Sequence, residues 1–313
     1  MVAIVSGSSL GLSLGSLRTL GQQGVLGSAE QGRSGEQAYV NVATGNLVLQ
    51  SRDEFVAGRG LDVGSLRTYN SRGLWNDDNQ DNWLVGAFGQ RALVDGQPGQ
   101  AGSSVTRTDR DGAEAVYAWD VNRGVYISSA GAGAYDTIAY NAQSSQLVWV
   151  DGDSGATERY QASPPGRLIS ASDADGNLVT LSYDSAGHVQ SVTDANGEVT
   201  CYDYVGDNLV QIRTITSANV TSTRLHYGYD NSNRLVMVTV DLSPEDNSVA
   251  DGNTYVTRYT YDGASTRVAT LAQTDGTSLS LTYVQIDGEY KVSSVMRQLA
   301  KSRPRPGAAC RSE

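Results

Sequence analysis

Between Gly166 and Leu235 the chain repeats itself, and that periodicity restricts the fold more than any other feature. Gly166-Arg167-Leu168 is followed by Asp173 and then Asp175-Gly176; 21 residues on, Gly187-His-Val is followed by Asp194 and Asn196-Gly197. The same offset carries Tyr183 onto Tyr204. A third copy opens at Asn208-Leu-Val. A fourth, Tyr229-Asp-Asn-Ser-Asn-Arg-Leu235, superposes without a gap on Tyr183-Asp-Ser-Ala-Gly-His-Val189. A fixed period of this size marks stacked architecture: one unit cannot bury its own apolar face, so its neighbours must.

Inside a unit the pattern is one of strands and tight turns. Leu178 to Tyr183 alternates, with Val179, Leu181 and Tyr183 on one face and Thr180 and Ser182 on the other, which is the period of a half-buried strand. The turn slot holds Gly166, Gly187, Asn208 and Asn233 in the four copies. Gly and Asn tolerate a left-handed backbone, so the slot predicts a positive φ in each. Asp175-Gly176, Asn196-Gly197 and Asp275-Gly276 predict the alternate turns. Thirty-five Gly and 17 Tyr against 2 Phe suit a turn-dense sheet whose faces meet water. The predicted class is all-β, with repetitive antiparallel hairpins forming a curved, spiralling sheet.

Tyr-Asp stands at 183–184, 229–230 and 261–262, followed in the first two by Gly187-His-Val and Asn233-Arg234-Leu235; Asp-x-x-Gly stands at 173–176 and 194–197. These residues resemble the YD-repeat, or Rhs, family, found in bacterial polymorphic toxins, shell subunits of insecticidal toxin complexes and animal teneurins. A second stretch is more specific: Gly45-Asn-Leu47 and Arg67-Thr-Tyr-Asn-Ser71 are similar to the leading segment of Rhs shells. A Gly-Trp pair of that segment is replaced by Asn82-Trp83, and no role is carried over to it. The resemblance implies a sheet spiralling into a hollow shell around a polypeptide cargo or downstream toxin domain. It divides the chain into a Gly/Ser/Leu-rich leader (1–35), leading-segment hairpins (36–162), the YD-repeat sheet (163–300) and a basic tail (301–313). The tail reads as a truncated, frame-shifted or disordered end, and the Asp-Pro-x-Gly motif that marks the family's self-cleavage point is absent. An open fragment of such a shell is the expectation.

With 34 acidic and 23 basic residues, net −11, the chain is a poor partner for nucleic acid or anionic membranes. No apolar run reaches membrane-span length, and Gly interrupts the N-terminal apolar stretch where a secretory signal needs continuity. The expected location is therefore secreted or cell surface by a non-Sec route if exported, and otherwise cytoplasmic.

Chemistry is sparse. Gly7-Ser-Ser9-Leu-Gly11 fits a nucleophile elbow, but the Gly residues beyond it make the required following helix poor. Of two histidines, His188 shares its slot with Arg167, Leu209 and Arg234, and His226 lies opposite Thr180; a slot that accepts Arg and Leu does not demand an imidazole. The acidic run Asn76–Asn82 lacks the Gly and Glu of a calcium loop and reads as a solvated turn. Cys201 reads as a small strand residue on the face opposite the tyrosines, and Cys310 lies in the tail; the two make no disulfide framework. Asn219-Val-Thr221 fits a glycosylation acceptor without implying one. Pro164-Pro165 is expected to break the sheet before the regular repeats. Trp119 and Trp149 are candidate glycan-facing aromatics, with a core role the competing reading. The expected function is a structural, non-enzymatic shell segment without metal or cofactor; the alternative is an adhesin or carbohydrate-binding module.

Overall fold

The computed structural model describes residues 3–4, 37–40, 44–56, 59, 61, 63–71, 81–86, 90–109, 114–128 and 135–298. The first strands are β1 (Ala3–Ile4), β2 (Gln37–Val40), β3 (Leu47–Val56), β4 (Val63–Asn70) and β5 (Trp83–Gly86), paired in that order as a 5-stranded sheet. A second sheet begins with β6 (Arg91–Asp95), β7 (Ser104–Thr108), β8 (Glu114–Asp120), β9 (Val125–Ser128), β10 (Thr137–Asn141), β11 (Gln146–Val150), β12 (Thr157–Gln161) and β13 (Leu168–Ser172). It continues through β14 (Leu178–Tyr183), β15 (Val189–Thr193), β16 (Val199–Val205), β17 (Asn208–Ile215), β18 (Thr221–Tyr229) and β19 (Leu235–Asp241). It ends with β20 (Thr254–Tyr261), β21 (Val268–Gln273), β22 (Ser278–Ile286) and β23 (Glu289–Gln298). Every strand of this 18-stranded sheet pairs antiparallel with its sequence neighbour.

The all-β class holds, and the sheet is open. A bridge between Arg91 and Arg167, with the Ala92 amide donating to the Gly166 carbonyl at 2.9 Å, brings β6 beside β13. That contact curls β6–β13 into a ring without joining the two edges of the sheet. The ring is filled rather than hollow: Ala92, Val105, Tyr117, Tyr126, Ile138, Leu147, Trp149, Tyr160 and Leu168 form its core. Alternation explains why, since inward residues of β11 and β12 such as Leu147, Trp149 and Tyr160 recur at period two.

The remaining strands pack one face against the smaller sheet. Val179, Val192, Tyr202, Leu209, Ile212, Leu225, Leu235, Val238, Tyr259, Val268 and Leu281 meet Leu47, Leu49, Val63, Tyr69 and Trp83 in a single core. Along β4, the Ser65 hydroxyl bonds Tyr202 of β16 and Tyr69 bonds Thr266 and Val268 beside β21. Laid flat, the strands from β16 to β21 span ~24 Å, whereas Ser65 to Tyr69 spans ~13 Å. The wall therefore converges on β4, and the expected hollow is here occupied by the chain's own strands β2–β5.

Other expectations shift with the topology. Pro164-Pro165 does not break the sheet: it sits in the β12–β13 turn, and those strands pair across it. The boundary between the two sheets falls between β5 and β6. Gly7–Gly11, Cys310 and the 301–313 tail lie outside the described residues. Among the described residues no helix is long and apolar enough to cross a membrane.

Candidate functional site

The repeated residues converge on one structure, the junction between successive hairpins. In each unit the ladder slips by one residue at the tyrosine, a β-bulge: Tyr160 faces Leu168, Tyr183 faces Val189, Tyr204 faces Leu209, Tyr229 faces Leu235, Tyr261 faces Val268 and Tyr283 faces Val292. A bulge frees backbone groups from the ladder, and buried groups so freed need other partners.

The tyrosines supply those partners across units. Tyr183 donates to the Leu168 carbonyl at 2.6 Å, Tyr229 to Leu209 at 3.0 Å, Tyr261 to Leu235 at 2.6 Å and Tyr283 to Val268 at 2.7 Å. Each acceptor is the apolar bulge residue of an earlier unit. The residue just before it carries a second contact: Arg167 lies over Tyr183 at 5.4 Å, Arg234 over Tyr261 at 4.7 Å and Arg267 over Tyr283 at 5.8 Å. His188 stacks on Tyr204 at 4.6 Å in the same slot. A cation over an aromatic ring is worth ~0.5–1 kcal/mol at such half-exposed sites.

The acidic residues of the motif shape turns. Asp184 accepts the Gly187 and His188 amides at 2.7 and 2.9 Å, and Asp230 accepts the Ser232 and Arg234 amides at 2.8 and 3.0 Å. Asp173 and Asp194 do the same for Asp175 and Asn177 and for Asn196 and Glu198. Asp262 holds the Arg267 guanidinium at 2.8 Å. Desolvation pushes the Asp184 carboxyl up, but the amide and His188 hydrogen bonds outweigh it and leave it below the ordinary carboxylate value. Gly176 and Gly197 take φ of +82° and +81°, as Asp-x-x-Gly predicts.

The turn-slot expectation holds at Gly166, Gly187 and Asn233, with φ of +73°, +95° and +58°, and fails at Asn208. Asn208 opens β17, and the left-handed residue of that copy is Gly206 at +62°. The third turn is shorter, so Leu209 occupies the buried bulge position of Leu168 and Leu235 rather than the slot of Arg167 and His188.

Four residues of the leading segment complete the junctions. The Asp81 carboxylate accepts the Leu235 amide at 2.9 Å, the Tyr69 hydroxyl accepts the Val268 amide at 3.1 Å, and the Gly45 carbonyl accepts the Val292 amide at 3.0 Å. Trp83 donates its indole N–H to the Tyr261 hydroxyl at 3.0 Å. The small sheet thus meets the repeats in their own register. Asp81 is 2% exposed, which corrects the reading of the acidic run as a solvated turn at that residue. Asn82 has φ +68°, a left-handed backbone that Asn tolerates better than most non-glycine residues.

Deeper still, Arg67 and Asp53 form a buried pair at 2.7 Å, with Tyr227 donating to Asp53 at 2.8 Å and Arg67 also reaching the Tyr259 hydroxyl. Sequence reasoning missed this group, because nothing local sets Asp53 beside Tyr227. Trp149 is 8% exposed, lies under Arg107 at 4.1 Å and donates to Tyr117 at 3.1 Å. Trp119 is half-buried and packed edge-on against Tyr126. Trp149 thus belongs to the ring core, and Trp119 packs against it. His226 is half-buried, and burial lowers its pKa despite the Asp241 charge nearby. Cys201 sits between the buried Thr200 and Tyr202 on the opposite face, and burial raises its thiol pKa. Among the described residues no group of His, Cys, Asp and Glu is placed to hold a metal.

These junctions define a wall of cross-tied β-hairpins, a repeat sheet that grows by adding units. Residues 166–199 match the RHS Repeat family model, so the repeat read from the sequence is the RHS repeat. No curated protein matches the chain. Among solved structures it is similar to the TcdB2-TccC3-Cdc42 complex, at 11% identity over 92% of this chain and 21% of that one, TM-score 0.33. It is also similar to the Photorhabdus luminescens Tc holotoxin pore (10% identity, 92% and 20% covered, TM-score 0.27) and to a porin-like protein from Bacteroides uniformis (11%, 82% and 98%, 0.30). The chain spans about a fifth of the first two. Overlaps this loose carry no argument; the fold rests on the ladders themselves.

Proposed function

We propose that the chain is a structural, non-enzymatic segment of an RHS shell wall that helps enclose a polypeptide cargo by steric exclusion. The observation that carries this reading is the recurring junction: a tyrosine hydroxyl on the preceding bulge carbonyl at 2.6–3.0 Å in four copies. Side chains with catalytic potential are committed to it, with Asp184 and Asp230 capping turns and His188 standing where other units place Arg. Strands β2–β5 already fill the enclosed face of β14–β23, so the cargo space lies beyond the β23 edge, where further units extend the wall. The test is protease protection of an unfolded reporter fused after Glu313. Enclosure predicts that the reporter survives trypsin that digests it alone; reporter cleavage at the free rate with the wall intact refutes it.

A further inference from the structure

His226 stands on the face of β18 opposite the core residues Leu225 and Tyr227, between Gln211 of β17 and Thr239 of β19. Its Nε2 is buried and bonded to nothing. Asp241, the last residue of β19, lies diagonally across the ladder, two positions beyond Thr239, within the reach of long side chains. It is 1% exposed; Oδ1 accepts the Ser243 amide at 2.9 Å, and Oδ2 is buried without a partner. Two buried polar atoms on adjacent strands are thus left unpaired, a costly arrangement. Asp241 also begins the acidic loop 242–253. Ser243, which it holds, donates its hydroxyl to Asp251 at 2.7 Å, and the 3-10 turn Pro244–Asp246 buries Pro244. Two side-chain ties to β18 are long: Ser222 to the Pro244 carbonyl at 3.4 Å and Asn247 to the Thr221 carbonyl at 3.2 Å.

We infer that His226 and Asp241 form a proton-operated release for this loop: when His226 takes up a proton, its Nε2–H draws the Asp241 carboxylate off Ser243, and the loop loosens from β18. Both nitrogens of an imidazolium are donors, so the buried Nε2–H needs an acceptor, and the unpaired oxygen beside it is Asp241 Oδ2. The two are not bonded as they stand, so closing the gap turns the carboxylate away from the Ser243 amide. The other charges around His226 are engaged or exposed. From β17, Gln211 binds Asp203 at 2.7 Å, and Arg213 neutralises that carboxylate at 2.6 Å. On β18 itself Arg224 lies 3.8 Å from Glu54, and Glu245, Asp246 and Asp251 of the loop are exposed. Burial holds the His226 pKa below 6.5 although the Asp241 charge raises it. The neutral form is therefore the resting one, and its contribution to the closed state is present above 6.5 and is lost as pH falls through the folded pKa.

The test is amide exchange of the full chain, read by mass spectrometry on segment 242–253 and corrected for the intrinsic rate, beside an NMR titration of the histidines. Protection of the loop is expected to fall about 10-fold between about pH 7.5 and about pH 5 as His226 charges, while segment 178–193 keeps its protection. His226→Gln should flatten the response by removing the proton site. Asp241→Asn should flatten it too, since the amide still offers Ser243 an oxygen but no longer attracts an imidazolium, and His226 should still titrate in that variant. Loop protection that stays constant while His226 titrates overturns the inference, as does a His226 that remains neutral down to about pH 5. A response that either variant retains overturns it, and so does an equal loss in 178–193, which marks global unfolding. Loop release and cargo enclosure are separate properties, and each can fail without the other.

Discussion

Replacing Tyr261 by Phe separates two accounts of the junction. If each tyrosine acts only within the repeat sheet, Tyr261→Phe and Tyr183→Phe should cost the same. In the structure they differ. Tyr261 donates to the Leu235 carbonyl at 2.6 Å and accepts the Trp83 indole N–H at 3.0 Å, and Trp83 is 1% exposed. Tyr183→Phe removes the bond to Leu168 without touching Trp83. A buried polar group left without its partner costs ~1–3 kcal/mol, so two orphans at Tyr261 predict ~2–4 kcal/mol and Tyr183→Phe ~1–2 kcal/mol. Urea unfolding followed by tryptophan fluorescence measures both. The decisive quantity is the coupling with Trp83→Phe in a double-mutant cycle, expected at ~1 kcal/mol. Equal losses at 261 and 183, with no coupling to Trp83, refute the view that the small sheet braces the repeats.

Three further outcomes are expected. Gly166→Ala places a Cβ 2.1 Å from the Ala92 carbonyl oxygen at a φ of +73°, whereas Gly176→Ala meets nothing within 4 Å; the first should open the β6–β13 ring, seen as fast amide exchange at Ala92, and the second should cost only ~1 kcal/mol. Asp53→Ala strands the buried Arg67, a loss of ~3–5 kcal/mol, while a double change to Asp53→Leu and Arg67→Met should recover much of it in the same urea titration. Stability should also fall at both ends of the pH scale, in thermal melts. Asp184 and Asp230 have folded pKa values below their unfolded value near 3.8, so their contribution is present above that value and is lost as pH falls below it. Burial pushes Tyr117 up to about 12 from 10.0, so its contribution is present below pH 10 and is lost as pH rises toward 12.

The junction was half legible. The Tyr-Asp pairs, the Asp-x-x-Gly turns and the slot of Arg167 and Arg234 stand at readable offsets, since each is set by local backbone geometry. The unit at Tyr283–Val292 escaped notice, and the one at Tyr261-Asp262 was read without its Val268 partner, because turn length varies between copies, from Tyr204–Leu209 to Tyr283–Val292. A bulge preserves the tyrosine contact while the loop beyond it changes length. The same variation misled the reading of Asn208, where a shortened turn shifts the slots by one.

What the sequence by itself determined is therefore the unit: alternation sets the strands, Gly and Asn set the turns, and the period sets their stacking into one antiparallel sheet. What only the tertiary structure decided is how that sheet bends and what fills it. Nothing near Asp81 announces the Leu235 amide, and nothing near Asp53 announces Tyr227. The physical reason is separation along the chain. Hairpin geometry is fixed by residues a few positions apart, whereas the partners of β2–β5 lie more than 130 positions away, as between Ser65 and Tyr202, and meet only once the wall has curved around them.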